Sequence, residues 1–180
     1  MNEQLEAKLQ RLLDEQSIRE LLARYCRGVD RCDTELIASC FHPDACDDHG
    51  NWLARGDGVA GHIVGLVKPG AARAMHFMGN VLIEIEGDIA YSEAYVLAYR
   101  SFERDGQACT RTRALRFVDR HERREGVWRI SERVAVDEWN RLDAIIEHQD
   151  GTHLFRYSSK DRRDPVYAIR AGRVARERLD

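Results

Sequence analysis

Three glycine-containing turns divide the second half of this 180-residue chain into four long segments, and they limit the fold more than any other feature. The dipeptides Gly87–Asp88, Asp105–Gly106 and Glu125–Gly126 each separate segments rich in β-branched and aromatic residues. Such residues favour strands, and two-residue turns with glycine are common connections of β-hairpins. Residues 72–139 are therefore predicted to form an antiparallel meander of four long strands.

The first half of the chain has the spacing of helices. A second helix is predicted to begin after the N-cap residue Asp33 and to end at Phe41, because the "HPD" that follows disfavours helix. A short strand within residues 47–56 and a third helix, capped by Asp57 and ended by Pro69–Gly70, come next. The first helix is predicted from apolar residues that recur on one helical face: Ile18, Leu21, Leu22, Tyr25, Cys26 and Val29.

Helices followed by a meander predict an α+β fold, with the helices covering one face of a bent sheet. The length suits one domain, which we place at residues 1–142. Residues 143–180 are predicted to form a basic C-terminal extension that packs on the domain or on a partner subunit. Within it, residues 156–180 hold eight Lys or Arg against four Asp or Glu.

The amino-acid composition limits which binding partners and which cellular compartment we expect for the chain. With 43% hydrophobic and 33% charged residues the chain can build an ordinary core, and its net charge of −3 argues against nucleic acid or a membrane as partner. No apolar stretch approaches the roughly 20 residues that span a bilayer, and the charged N-terminus is unlike a secretory signal. Five cysteines without C-x-x-C spacing predict reduced thiols, and we expect a cytoplasmic protein.

Three residues are candidates for chemistry. Tyr25 lies within the apolar arc of the first helix, whereas Asp30 falls at its edge. His76 shares a strand face with Met78. From the residues alone, a solvated carboxylate and a structural histidine both remain open. If Asp30 met His76 across a pocket, the carboxylate would fix the imidazole tautomer and leave the other nitrogen free to move a proton.

The other sequence motifs give weaker evidence about function than these three residues. No G-x-S-x-G, P-loop or G-x-G-x-x-G occurs, which argues against the common hydrolase and nucleotide-binding classes. The stretch "HPDACDDHG" fits neither H-E-x-x-H nor an EF-hand, and its turn-forming residues explain it, so no metal is predicted there. Its potential ligands are His42, Asp44, Asp47, Asp48 and His49.

Three stretches together resemble the SnoaL-like family of the nuclear transport factor 2-like superfamily: "IRELLARYCRGVDRCD…IASCFHPDA", "AMHFMGNVLIEIEGDIAYSEAYVLAY" and "REGVWRISERVAVDEW". The resemblance covers roughly residues 10–142. It implies a cone-shaped, cystatin-like barrel, in which three N-terminal helices pack on a strongly curved, mainly antiparallel sheet around a deep pocket. Members include scytalone dehydratase, bile-acid dehydratase and hexachlorocyclohexane dehydrochlorinase, and several catalyse proton transfer without a cofactor.

The resemblance also implies site residues. Asp30 and His76 match the catalytic aspartate and histidine of the dehydratase and dehydrochlorinase members. Tyr25 matches a pocket tyrosine of the bile-acid dehydratase, where the dehydrochlorinase has a lysine. An arginine in "GVWRISER" matches a pocket arginine of the dehydrochlorinase, and another in "EWNR" lies near the expected pocket mouth. The other expected substrate-binding residues are thus Arg133, Arg141 and Met78.

The function that the resemblance implies is that of a cofactor-free lyase of the dehydratase type. His76, held by Asp30, would abstract a proton beside an electron-withdrawing group of a small, largely apolar ring compound. Tyr25 or Arg133 would help the leaving group depart. An isomerase of the same fold and a non-catalytic binding or scaffold domain remain open. Relatives commonly assemble as dimers or trimers, so a homo-oligomer is expected.

Overall fold

Four helices and six strands make up the described part of the chain, which comprises residues 2–69, 73–146 and 155–170 of a computed structural model. The helices are α1 (Glu3–Arg31), α2 (Thr34–Ala38), α3 (Gly58–Val67) and α4 (Pro165–Arg170). The strands are β1 (Phe41–Asp48), β2 (Leu53–Arg55), β3 (Arg73–Glu86), β4 (Ile89–Arg104), β5 (Gln107–Arg124) and β6 (Val127–Ala144). The α+β class is confirmed. None of these helices combines the length and the apolar character needed to cross a membrane.

All six strands belong to one sheet of order β2-β1-β6-β5-β4-β3. Neighbouring strands are antiparallel, except that β1 runs parallel to β6. The edge strands β2 and β3 do not pair with each other, so the sheet is an open cone wall and not a closed barrel. Register shifts at Met78/Val81, Ala114/Leu115 and Arg120/His121 mark bulges, which bend the long strands over the helices.

The predicted meander is confirmed, and backbone angles explain its turns. Asp105 and Gly106 have φ values of 53° and 76°, and Glu125 and Gly126 have 53° and 77°. Gly87, in the first turn, has a φ of 65°. Positive φ in a two-residue loop matches the right-handed twist of the strands that it joins, and glycine adopts it without steric cost.

The region between α1 and α3 differs from the prediction. Helix α2 ends at Ala38, and β1 begins at Phe41 and continues through Pro43, where a second helix and then a stop were predicted. Pairing with β6 explains this, because Phe41 is opposite Ile130 in the sheet and such tertiary contacts override local propensity. Helix α3 ends at Val67, and Asp57 makes no side-chain capping hydrogen bond.

Helix α1 carries the largest share of the helical core. The Asn2 side chain accepts the Gln4 backbone N–H at 3.0 Å and caps its start. The predicted apolar face is buried against the sheet, from Ile18 to Val29. Asp14, also buried, accepts the indole N–H of Trp128 at 2.8 Å and so ties the helix to β6.

All five cysteines are free thiols. Cys26, Cys40 and Cys109 are buried and act as small apolar side chains. Burial raises the pKa of Cys26 to about 12, with Arg133 opposing the rise, so this thiol remains protonated.

The C-terminal region contacts the helical layer. Strand β6 continues to Ala144, two residues past the domain boundary that we predicted. Within residues 155–170, Lys160 Nζ donates to the Val67 carbonyl at 2.6 Å, and the Tyr167 hydroxyl donates to Asp33 at 2.7 Å. The remainder of the predicted extension, residues 147–154 and 171–180, lies outside the described residues.

Candidate functional site

A cavity of about 560 Å³ lies between the helices and the inner face of the sheet. Helices α1 and α3 supply one wall, the β1–β2 connection a second, and strands β3 to β6 the floor. This volume falls within the range of roughly 300–1,000 Å³ that small-molecule sites occupy. The described residues that line it are Tyr25, Val29, His49, Gly50, Asn51, Trp52, Ile63, Leu66, Val67, His76, Ala98, Arg100, Arg111, Arg113, Leu115, Phe117 and Asp137.

Asp30 and His76 are in contact at this cavity. The Asp30 Oδ1 is 2.6 Å from the His76 Nδ1, and Asp30 Oδ2 accepts the backbone N–H of His76 at 3.0 Å. Their side chains are only 11% and 9% exposed. The carboxylate thereby favours the tautomer with the proton on Nδ1, which leaves the lone pair on Nε2.

Local structure explains why the two residues meet. Asp30 is the second-last residue of α1, which ends at Arg31 before Cys32 turns left-handed with a φ of 50°. His76 lies on the inner face of β3, opposite Ala98 of β4. The small side chain of Ala98 leaves room beside the imidazole.

Tyr25 lines the same cavity, one helical turn and a half before Asp30. Its ring meets Phe41 and Phe117 edge-on, with centroids 5.7 and 5.5 Å apart. Burial raises the pKa of Tyr25 far above the ordinary value for tyrosine; Asp47 adds to the rise and Arg133 opposes it. The hydroxyl therefore keeps its proton and can donate a hydrogen bond to a ligand.

The structure places Arg133 under the cavity and not on its surface. The residue is fully buried, and its Nε and Nη2 donate to the two oxygens of Asp119 at 2.7 and 2.6 Å. Its guanidinium also lies 4.0 Å from the ring centroids of Tyr25 and Phe117. Burial opposes the charge, but Asp119 outweighs burial and raises the pKa of Arg133. In this position Arg133 supports the ring of Tyr25, and it is not among the described residues that line the cavity.

Two further predicted substrate-binding residues also lie outside the described lining of the cavity. Met78 is half-buried and packs against the core, next to a bulge that follows it in β3. Arg141 is exposed near the end of β6, where its Nε is 2.7 Å from Asp143 Oδ1. The pocket mouth is therefore formed by other arginines.

A second aspartate–histidine pair was missed from the sequence. His49 Nε2 lies 3.1 Å from Oδ1 of the fully buried Asp47, and the imidazole stacks on Trp52 with centroids 4.0 Å apart. His49 Nδ1 is 3.5 Å from the Arg113 Nη1. Both ring nitrogens of His49 thus face protein groups, and its imidazole forms part of the cavity wall.

The other potential ligands in "HPDACDDHG" contact different parts of the protein. His42 Nε2 is 2.9 Å from the Glu122 carbonyl, while Asp44 is exposed and pairs with Arg124 at 2.7 Å. Among the described residues, no group of three or more His, Cys, Asp or Glu side chains is arranged to hold a metal ion.

Three arginines at the cavity were also missed: Arg100 on β4, and Arg111 and Arg113 on β5. The sequence signal for these arginines is the alternation of inward and outward side chains along a strand, which has a period of two residues. On β5 the inward positions Phe117 and Leu115 continue as Arg113 and Arg111, and on β4 Val96 and Ala98 continue as Arg100. The inner face of the sheet therefore changes from apolar to cationic as it approaches the mouth. Alternation alone could have located these residues.

Comparison with known proteins gives a consistent result. The sequence profile of the SnoaL-like domain matches residues 10–134. The solved structure of LinA superposes with a TM-score of 0.71 at 25% identity, over 79% of this chain and 97% of that one. A type 2 hexachlorocyclohexane dehydrochlorinase (LinA) has a TM-score of 0.71 at 23% identity, over 80% and 99%. A putative scytalone dehydratase from Novosphingobium aromaticivorans reaches 0.65 at 16% identity, over 78% and 97%. No curated protein matches the chain.

Proposed function

Because the chain belongs to the SnoaL-like family of the nuclear transport factor 2-like superfamily, we propose that it is a cofactor-free lyase of the dehydratase type. In this proposal His76 is the general base, Asp30 holds it, and Tyr25 binds the substrate near the leaving group. Two structural relatives are a hexachlorocyclohexane dehydrochlorinase and a putative scytalone dehydratase, and eliminations of this kind are the chemistry that we carry over.

The contact between Asp30 and His76 carries the proposal. It brings a carboxylate to one nitrogen of an imidazole that lines the cavity. Within residues 2–69, 73–146 and 155–170, no group is hydrogen-bonded to the other nitrogen, Nε2. A base needs such a nitrogen within reach of the substrate proton.

The proposed step transfers one proton and breaks one carbon–heteroatom bond. His76 Nε2 takes a proton from the carbon beside an electron-withdrawing group, and the C–H electrons form the new double bond. The leaving group departs as halide or, taking the proton back from the imidazolium, as water. Tyr25, which stays protonated, donates a hydrogen bond to the oxygen or halogen on which charge develops.

The apolar part of the cavity supports a ring compound as substrate. Ile63, Leu66 and Val67 of α3 and the ring of Trp52 form a continuous wall. An apolar wall excludes water and strengthens the polar contacts at the reacting carbon.

A homo-oligomer, dimeric or trimeric, is the second element of the proposal. The outer face of the sheet exposes the aromatic residues Phe77, Tyr95 and Trp139, which are 61%, 47% and 50% exposed. They lie on β3, β4 and β6 and line one depression. Contiguous exposed aromatic surface is typical of interfaces. Light scattering of Phe77→Glu should then report a smaller particle than light scattering of the wild type.

Product identification tests the proposal. Small cyclic β-hydroxy ketones are incubated with the wild type and with His62→Gln, an exposed histidine of α3 that serves as the matched control. We expect both proteins to form the α,β-unsaturated ketone and water. A product of unchanged mass with a shifted double bond would assign an isomerase, and no reaction across the panel would favour the binding domain.

A further inference from the structure

We infer that the cavity takes a substrate carrying a carboxylate, which the guanidinium of Arg100 binds beside His76. The inference rests on the proposed function for the identity of the cavity as a substrate site, and it names the class of substrate. Arg100, Arg111 and Arg113 line this cavity, and Asp137 is the sole carboxylate among its described lining residues. The mouth therefore has an excess of positive charge that a neutral substrate would leave uncompensated.

The three arginines are not equivalent. Arg113 Nε donates to Asp137 Oδ1 at 2.5 Å, and its Nη1 faces His49. Arg111 Nη2 donates to Asn140 Oδ1 at 3.0 Å. For Arg100, the described part of the chain contains no hydrogen-bond acceptor or carboxylate partner. Of these three guanidinium groups, only that of Arg100 has no donor engaged by a described residue, so all of its donors can face a ligand.

The charges around Arg100 also favour the binding of an anion there. Burial lowers the pKa of Arg100, and the charges of Arg111 and Arg113 lower it further. An arginine still keeps its proton at neutral pH, so the site holds a cation that is partly desolvated and repelled by its neighbours. A bound carboxylate would offset both costs, since planar carboxylates match the guanidinium fork with two charge-assisted hydrogen bonds.

The sheet register sets the distance between this charge and the proposed base. His76 is opposite Ala98, and Arg100 is two residues farther along β4 on the same face. Such diagonal neighbours have Cα atoms about 7–8 Å apart. A carboxylate on Arg100 and an acidic carbon at His76 can then belong to one small ring compound. The expected substrate is amphipathic, with its ring on the α3 wall and its charge at the mouth, and not uniformly apolar.

Calorimetric titration with a matched pair of ligands tests the inference. The probes are 2-naphthoate and 2-naphthamide, which share a ring system and differ in charge. We expect the wild type to bind naphthoate at least about tenfold more tightly, as a charge-assisted bidentate contact predicts. Arg100→Gln should abolish this preference, while its circular dichroism spectrum stays that of the wild type.

The control removes the same charge outside the cavity. Arg104→Gln changes an arginine of β4 whose side chain is 65% exposed. We expect Arg104→Gln to keep the preference for naphthoate. Equal affinity for the two ligands, no measurable binding of either, or a preference that survives Arg100→Gln would overturn the inference.

Failure of the inference can be told from failure of the proposed function. If the wild type prefers naphthoate but eliminates water from no substrate, the carboxylate site stands and the lyase does not. If it dehydrates neutral ketones and shows no preference for naphthoate, the lyase stands and the carboxylate site does not.

Discussion

Asp30 holds His76 at two points, through the imidazole Nδ1 at 2.6 Å and through the backbone N–H at 3.0 Å. Both oxygens of one carboxylate are therefore committed to a single residue on another element. The imidazole cannot rotate without breaking the shorter contact, and low exposure of the pair limits competition from water. An imidazole that is oriented before the substrate binds suits the proton abstraction that we propose.

Asp30→Asn should impair catalysis far more than folding. The amide keeps the shape of the side chain but cannot accept from both N–H groups, so the tautomer or the orientation of His76 changes. We expect the rate of elimination to fall roughly 10²–10⁴-fold. The measurement is kcat, with the thermal unfolding midpoint alongside. Asp44→Asn, on the exposed part of β1, is the control and should keep full activity.

Arg133→Met should destabilise the protein, because it leaves the fully buried Asp119 without its partner. Removing one member of a buried ion pair costs about 3–5 kcal/mol. Urea unfolding gives this free energy. A second replacement, Asp119→Leu, removes the orphaned charge and should restore much of the loss. If Arg133→Met were as stable as the wild type but failed to bind substrate, Arg133 would be a ligand contact after all.

Most of the fold, but only part of the candidate site, could be predicted from the sequence. Hairpins were located to within a residue or two because positive φ at the turns requires particular residues, as at Asp105–Gly106. Periodicity placed Asp30 only at the border of an apolar face, and its partner came from the family resemblance. The structure buries Asp30 because the inner face of β3, with His76, covers that edge of α1.

The role of Arg133 shows what the sequence could not supply. Its partner, Asp119, is 14 positions away on another strand, and the two face each other only because of the β5–β6 register. That register includes bulges, which no local pattern marks. The arginines at the mouth are a different case, since strict alternation from Leu115 to Arg113 was visible in the sequence.

His121 should make the protein sensitive to acid. Burial lowers its pKa to about 4; Asp119 opposes this shift and Arg133 adds to it. In the unfolded chain the histidine has an ordinary pKa near 6.5, so between about pH 6.5 and pH 4 the unfolded state binds more protons. The free energy of unfolding should fall as the pH drops through that window, by about 3 kcal/mol in all from this group.

Urea unfolding at several pH values measures the His121 contribution. His121→Gln cannot titrate and should show a shallower dependence of unfolding free energy on pH than the wild type. Identical slopes for His121→Gln and the wild type would show that other groups cause the sensitivity.

Gly28→Ala and Gly61→Ala should change stability in opposite directions. A Cβ on Gly28 of α1 would lie 2.8 Å from Cγ1 of Ile37, so α2 would have to shift, which costs about 1–3 kcal/mol. A Cβ on Gly61 of α3 meets nothing within 4 Å, and alanine should stabilise that helix by up to about 1 kcal/mol. Thermal unfolding compares the two variants. Equal shifts would contradict the tight approach of α1 and α2.

The proposed role of the imidazole can be measured directly. The measurement compares His76→Gln with the wild type at a saturating concentration of a substrate that the wild type dehydrates. The quantity compared is the rate at which unsaturated product forms. We predict that the rate falls by at least about 100-fold, because the amide cannot take up a proton. The thermal unfolding midpoint should stay unchanged. A rate within a few-fold of the wild type would contradict proton abstraction by His76.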